Sequence, residues 1–281
     1  MKITWEEAVT WAKEAKEMQL LVQNCYYDDP IESSALRFYE SEEWAAIQEI
    51  INFAPEDRVL EIGAGRGIVS WAFAKSGCKV SALEPDPSEI VGAGAIQQLC
   101  DATGIRIDVV KEMGEQLPFP EKTFDYVICR NVLHHASDLK QMCQEIARVL
   151  KPNGKFLAIK EHVAETGEEL QMFLSQHPLH HLYGGEHAYP LAEYKLAIRS
   201  SGMILHKSYA PFDHPISWSP QHSLQSLRAQ MCGSLSSRFP QTISEKLSRQ
   251  DILIRMYCRW LSFRCNVPGR EYSFLASKPS C

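Results

Sequence analysis

The chain has 281 residues, enough for one or two domains with a sizeable core, and a mini-protein stapled by disulfides is excluded. Lys plus Arg is 29 and Asp plus Glu is 35, for a formal charge of −6, with 45% hydrophobic and 23% charged residues. That is ordinary globular composition, and the acidic total argues against broad electrostatic binding to nucleic acid or anionic lipid.

No apolar run approaches the ~20 residues that cross a bilayer. Met1 to Leu20 alternate charged and apolar residues without the greasy stretch of a signal peptide. The nine cysteines (Cys25, Cys78, Cys100, Cys129, Cys143, Cys232, Cys258, Cys265 and Cys281) contain no CxxC pair, and the chain has no HExxH. They read as reduced thiols in a cytoplasmic protein with no metal site.

Residues 5 to 22 repeat apolar side chains at helical spacing, with Trp5, Ala8, Val9 and Ala12 on one side and Trp11, Ala15, Met18 and Val22 on another. Trp5, Trp11 and Trp44 are expected in the core. A second helix is expected from about Ile31 to Phe53, ended by Pro55. From Arg58 onward short β-rich runs alternate with helical ones, the texture of a parallel sheet covered on both faces. The strand candidates are Val59–Ile62, Lys79–Leu83, Ile105–Val110, Tyr126–Cys129 and Phe156–Ile159. Ile105, Ile107 and Val109 alternate with polar residues, which suits an edge, whereas Tyr126–Cys129 is apolar on both faces and suits the middle. Asp138 can cap a helix carrying Leu139, Met142, Cys143, Ile146, Val149 and Leu150, and Lys151-Pro-Asn-Gly154 then reads as a stop and turn.

Residues 165 to 190, rich in His, Gly and Pro, suggest a covering loop with helical pieces, followed by a helix over Pro190–Ser200. Met203–Tyr209 and Tyr272–Ala276 read as two final paired strands, with 211 to 268 a helical insertion between them. Within it, Leu253, Met256, Tyr257, Trp260 and Leu261 share one face of a helix, against Arg255, Arg259 and Ser262. Such a face can pack on the main sheet, lie on a membrane or receive a lipophilic acceptor.

The sharpest feature is Val59-Leu-Glu-Ile-Gly-Ala-Gly-Arg-Gly67, where a strand turns into a helix. Glycines at 63, 65 and 67 permit positive φ and bring the backbone close to a ligand, and the helix N–H groups favour a negative group such as a carboxylate. Glu84 ends the next strand, where a carboxylate can accept both hydroxyls of a ribose. Position 68 is Ile, so the spacing does not fit GxGxxG, and Glu61 would face a pyrophosphate with like charge. A positively charged amino group would be welcome beside Glu61. S-adenosylmethionine carries an amino group, a carboxylate and a ribose in the required order.

On these residues the sequence resembles the class I S-adenosylmethionine-dependent methyltransferases, in particular the small-molecule type of ubiquinone and menaquinone biosynthesis. The likeness runs through Val59–Gly67, Glu84-Pro-Asp86, Glu115–Pro120, Phe124–Val127, Asn131–His135 and Arg148–Gly154, about a hundred residues. It implies a Rossmann-like α/β fold with a mostly parallel seven-stranded sheet. An N-terminal helical cap would occupy 1–54 and the cofactor core 55–160. The lid, final strands and insertion over 161–281 would complete the same domain. By the same likeness Glu61, Gly63, Gly65 and Gly67 hold the methionine end, Glu84 and Pro85 the ribose, and Met113, Gly114 and Glu115 the adenine. Asn131 faces the methionine portion. Where the family usually places an Asp near adenine, this chain has Met113.

A sulfonium methyl is already activated, so positioning dominates the transfer, and a base is needed only when the acceptor arrives protonated. His135, beside His134, and His181, in the lid cluster with His177, Tyr183 and His187, are the candidate bases. Tyr26, Tyr27, Asp28 and Arg37 lie in a segment that folds over the pocket in similar enzymes. The expected activity is methyl transfer to a small organic acceptor, at oxygen or carbon before nitrogen, with S-adenosylhomocysteine as product. An NAD(P)-dependent oxidoreductase and an inactive cofactor-binding module are the alternatives.

Overall fold

The computed structural model describes residues 2–280, so Met1 and the thiol of Cys281 lie outside the described residues. The β-rich runs become β1 (Arg58–Ile62), β2 (Lys79–Leu83), β3 (Asp108–Val110), β4 (Phe124–Arg130), β5 (Leu150–Val163), β6 (Ile204–Tyr209) and β7 (Arg270–Ser277). They form one seven-stranded sheet in the order β3-β2-β1-β4-β5-β7-β6, with β7 antiparallel to both its neighbours. This is the mostly parallel α/β architecture expected, with β3 at the edge and β4 in the middle.

Helices cover both faces: α1 (Trp5–Glu14), α2 (Gln19–Asn24), α3 (Ile31–Tyr39), α4 (Glu42–Ile51), α5 (Ile68–Lys75), α6 (Ala93–Thr103), α7 (Leu139–Val149), α8 (Gly167–Gln176), α9 (His180–Tyr183) and α10 (Leu191–Ser200). The insertion supplies α11 (Pro215–Trp218), α12 (Leu224–Ser236), α13 (Gln241–Ser248) and α14 (Asp251–Arg264) between β6 and β7. Alternation along the strands divides the core in two. Leu60, Ile62, Val127 and Cys129 pack with Met142, Ile146 and Ile198 from α7 and α10, whereas Val59, Ile128 and Leu157 pack with Trp44, Ile47 and Phe73 from α4 and α5.

Several boundaries differ from the sequence reading, each for a local reason. The first helix is broken at Ala15, whose extended backbone leads into a 3₁₀ turn over Lys16–Met18 before α2. Trp11, expected in the core, is 39% exposed. The helix expected over Ile31–Phe53 is two helices, because the Ser41 hydroxyl accepts from Trp44 N and caps a new start at α4. Lys151–Gly154 is the beginning of β5 rather than a free turn, with Asn153 at φ +64° bending it. β3 pairs only over Asp108–Val110, opposite Ser81–Leu83, so Ile105 and Ile107 pack beside the sheet without a ladder.

β5 carries a bulge between Ala158 and Glu161, with Lys160 at φ +57°. The extra residue sends consecutive side chains to different partners. The Lys160 ammonium is buried against Glu43 Oε2 at 2.7 Å and the Ser219 carbonyl, joining α4, β5 and the insertion. Arg130, at the end of β4, holds the same Glu43 through Nε at 2.7 Å and Nη2 at 3.2 Å. Burial works against the Glu43 carboxylate, but the two cations outweigh it and keep its pKa below the usual range. Glu43→Gln would leave two buried cations short of their counter-charge. Urea denaturation of that variant is expected to show a loss of about 3–5 kcal/mol, and adding Lys160→Met should recover part of it.

Candidate active site

The strand order reverses between β1 and β4, and in such sheets the crevice beyond the carboxyl ends of the strands receives ligands. A cavity of about 350 Å³ opens there. Glu61, Gly63, Gly65, Glu84, Pro85, Met113, Gly114, Glu115, Asn131 and His135 line it, as expected from the sequence. Two expected residues do not. Gly67 starts α5 at φ +74°, and a Cβ there would sit 3.0 Å from Ile96, so it permits helix packing behind the loop. His181 is exposed and outside the lining, and Tyr183, two residues on, lines the cavity instead.

In the glycine loop the backbone stands in the left-handed region, with Gly65 at φ +54° in open space. Gly63 lies at φ +65°, and a Cβ would meet Val132 Cγ2 at 2.6 Å. Glu84 Oε2 accepts from Gly65 N at 2.6 Å and Oε1 from Asp86 N at 2.9 Å. Each oxygen has a second acceptor site to offer a diol. Glu61 Oε2 accepts from Ser70 N at 2.7 Å and from the Ser70 hydroxyl. Burial pushes the Glu61 carboxyl up to about 8 despite those bonds. Asn131, held at φ +56°, has a buried Oδ1 with no hydrogen-bond partner among the described residues. An acceptor of that kind beside a carboxyl group suits a ligand ammonium. At the mouth, Glu115 Oε1 accepts from Ser137 N at 2.8 Å and Met113 is 58% exposed.

The N-terminal helices complete the cavity with Trp5, Cys25, Tyr26 and Tyr27. Arg66, between two of the loop glycines and only 6% exposed, donates to Tyr26 O at 3.0 Å and Asp28 O at 2.9 Å and pairs with Asp29 at 2.5 Å. Arg37 is spent on Asp28 at 2.6 Å. Burial raises the Cys25 thiol to about 11 and lifts the Tyr27 phenol higher still, so both stay protonated. Arg130 also lines the cavity, a cation the sequence reading passed over.

Behind His135 lies a cluster that sequence spacing did not reveal. His134 is 1% exposed and its Nδ1 lies 2.8 Å from Glu161 Oε2, which also accepts from His134 N at 3.1 Å. Its Nε2 lies 3.6 Å from Glu186 Oε2. Glu186 is the carboxylate partner missing from the reading of the lid histidines. It receives the Tyr183 hydroxyl and lies 3.7 Å from His177 Nε2. His134, His162 and Glu186 each bring a ligand atom within 4.8 Å of the others, a grouping with the donor types of a cation site.

Burial disfavours the charged imidazole of His134, yet the two carboxylates outweigh it and raise its pKa to about 9. His135 goes the other way, lowered by burial and by the neighbouring His134 charge. Its Nδ1 lies 3.1 Å from Gly185 O, which selects the tautomer with Nδ1–H and leaves Nε2 unprotonated. A neutral base therefore sits at the cavity wall.

A family model for a methyltransferase domain matches residues 60–158. The uncharacterized methyltransferase YcgJ of Bacillus subtilis is 31% identical over 128 residues, 46% of this chain and 50% of that protein. A ubiquinone biosynthesis O-methyltransferase of Rhizobium leguminosarum is 26% identical over 57% of this chain and 64% of that one. The chain thus spans half to just under two thirds of the length of these curated relatives. Among solved structures, phosphoethanolamine N-methyltransferase 2 of Haemonchus contortus with S-adenosyl-L-methionine superposes with TM-score 0.54. It has 18% identity and covers 92% of this chain and 60% of that one.

The chain has the Rossmann-like fold of these solved structures. Residues 60–158 are similar to a methyltransferase domain. The nicotinamide alternative is not favoured.

The His134 cluster carries its own pH signature. A group raised from 6.5 to about 9 on folding adds stability that is complete below pH 6.5 and lost as pH rises through 9. Thermal melts at pH 6 and pH 9.5 should show this loss, on the order of 3 kcal/mol, and His134→Gln should flatten the difference.

Proposed function

We propose that the protein transfers a methyl group from S-adenosylmethionine to a small organic acceptor, at oxygen or carbon, with His135 as general base. The observation that carries this reading is His135 lining the cavity with its Nδ1 3.1 Å from Gly185 O, while burial first and then the His134 charge, 4.2 Å away between ring centroids, lower its pKa. An acceptor hydroxyl or acidic carbon must lose a proton as the bond to the methyl forms, and a neutral Nε2 can take it. The cofactor itself supplies an electrophilic methyl on a sulfonium.

The residues fit such a cofactor. Glu61 and the unpartnered Asn131 Oδ1 would hold the ammonium, and Glu84 the ribose hydroxyls. Gly114 and Glu115 would border the adenine, with Met113 against its face. Trp5 lies 4.6 Å from Tyr183 and 6.0 Å from Tyr27 between ring centroids, giving the cavity an aromatic wall. That wall suits an acceptor with a flat apolar part and excludes water from the reacting atoms.

Cofactor binding is tested apart from transfer. Glu84→Ala should weaken S-adenosylhomocysteine binding at least ~10-fold in calorimetry, and unchanged affinity would remove the ribose assignment. Because Glu61 starts protonated below about pH 8, binding of an ammonium there expels its proton. Affinity should therefore rise between pH 6.5 and 8, and the binding enthalpy should vary with the ionisation enthalpy of the buffer.

For transfer, the protein is incubated with methyl-labelled cofactor and a cell extract, and the labelled product is identified by mass. With that acceptor, His135→Ala should lower kcat by about 10²–10⁴ while cofactor affinity holds. Full turnover by the variant would end the assignment of the base.

A further inference from the structure

The insertion presents an anomaly that methyl transfer leaves unused. α14 packs inward through Ile254 and Cys258, against Trp218, Leu227 and Met231. Its opposite side should be polar. Instead Ile252, Met256, Trp260 and Phe263 are exposed by 73, 63, 53 and 83%, and Val267 follows beyond the helix end at 60%. At ~100° per residue these four helical positions fall within an arc of about 80°, centred nearly opposite the buried stripe. The shared face read from the sequence is thus divided: Met256 and Trp260 point away from the buried stripe of Ile254 and Cys258.

The ridge has a basic border. Arg255 and Arg259 flank one side and Arg264 the other, all exposed, with the Arg264 guanidinium 5.9 Å from the Trp260 ring centroid. Lys246 and Arg249 stand exposed just upstream. Asp251, the one acid of the helix, pairs with Arg228 at 2.6 Å, while Glu245 accepts from Gln241 and Asp213 from Ser262 of α14, both keeping their charge. In a chain of net charge −6 this is a local positive surface around a strip of large apolar side chains.

We propose that α14 is a docking helix for anionic lipid surfaces. The Ile252–Phe263 ridge enters the boundary between headgroups and acyl chains, and Arg255, Arg259 and Arg264 reach back to lipid phosphates. Trp260 is of the residue type that favours that boundary. A second copy of the chain fits less well, because apposing two such ridges brings their arginines face to face. A protein partner would need a groove that matches a convex helix and carries acids on both rims.

This docking goes beyond methyl transfer and is read without it. The full chain is mixed with sedimenting vesicles of phosphatidylcholine alone or with phosphatidylglycerol at about three parts in ten. The expected result is partitioning to the anionic vesicles only, weakened by salt. Met256→Ser with Phe263→Ser should lower it at least ~10-fold, and Arg255→Gln with Arg259→Gln should lower it and flatten the salt dependence. These side chains are exposed, so melting temperature and S-adenosylhomocysteine affinity should stay at wild-type values. Equal recovery from both vesicle types, none from either, or undiminished binding by the Met256 and Phe263 variant overturns the proposal. So does a concentration-dependent dimer that the same variant dissolves, which would assign the ridge to a second copy.

Discussion

A buried imidazolium held between two carboxylates organises one wall of the cavity. Glu161 comes from the far side of the β5 bulge, His134 from the turn after β4, and Glu186 from the segment after α9. An ion pair at such depth is costly to build, and Glu161 offsets the cost by taking Val132 N as well as the two His134 groups, whereas Glu186 Oε2, 3.6 Å from the ring, makes no hydrogen bond among the described residues. Three segments distant in sequence are thereby fixed to one another. The same charge adds to burial in lowering the pKa of His135.

At the glycine-loop end of the cavity the groups are neutral or underused. Glu61 is pushed toward its protonated form and Asn131 Oδ1 has no protein partner. Sites of this type give up stability in the empty state and regain it with a ligand of matching charge. The two halves of the cavity thus differ, one holding a charged imidazole between carboxylates, the other a protonated carboxyl beside an unpartnered amide oxygen.

Much of this was legible in the sequence. The glycines at 63 and 65, Glu61 and Glu84 stand at strand ends, where the carboxyl edge of a parallel sheet brings them together, and strand order follows from short apolar runs separated by helices. His135 was legible by its place beyond the fourth strand. Glu186 was not, because an acid in a lid has no periodicity, and its partner His134 lies 52 positions earlier. Lys160 was hidden by the bulge: in a regular strand it would alternate with Ile159 and Glu161, and only the left-handed backbone lets it reach Glu43. His181 misled because a short helix presents adjacent residues to different sides, and Tyr183 took the inward place.

Arg66 couples two parts that other proteins could move separately. The glycine loop that floors the cavity and the N-terminal segment that roofs it are bolted together by one guanidinium with 5% of its side chain exposed. The roof cannot swing away without disturbing the floor. The cavity is left open to solvent at the opposite rim, where Met113 stands 58% exposed.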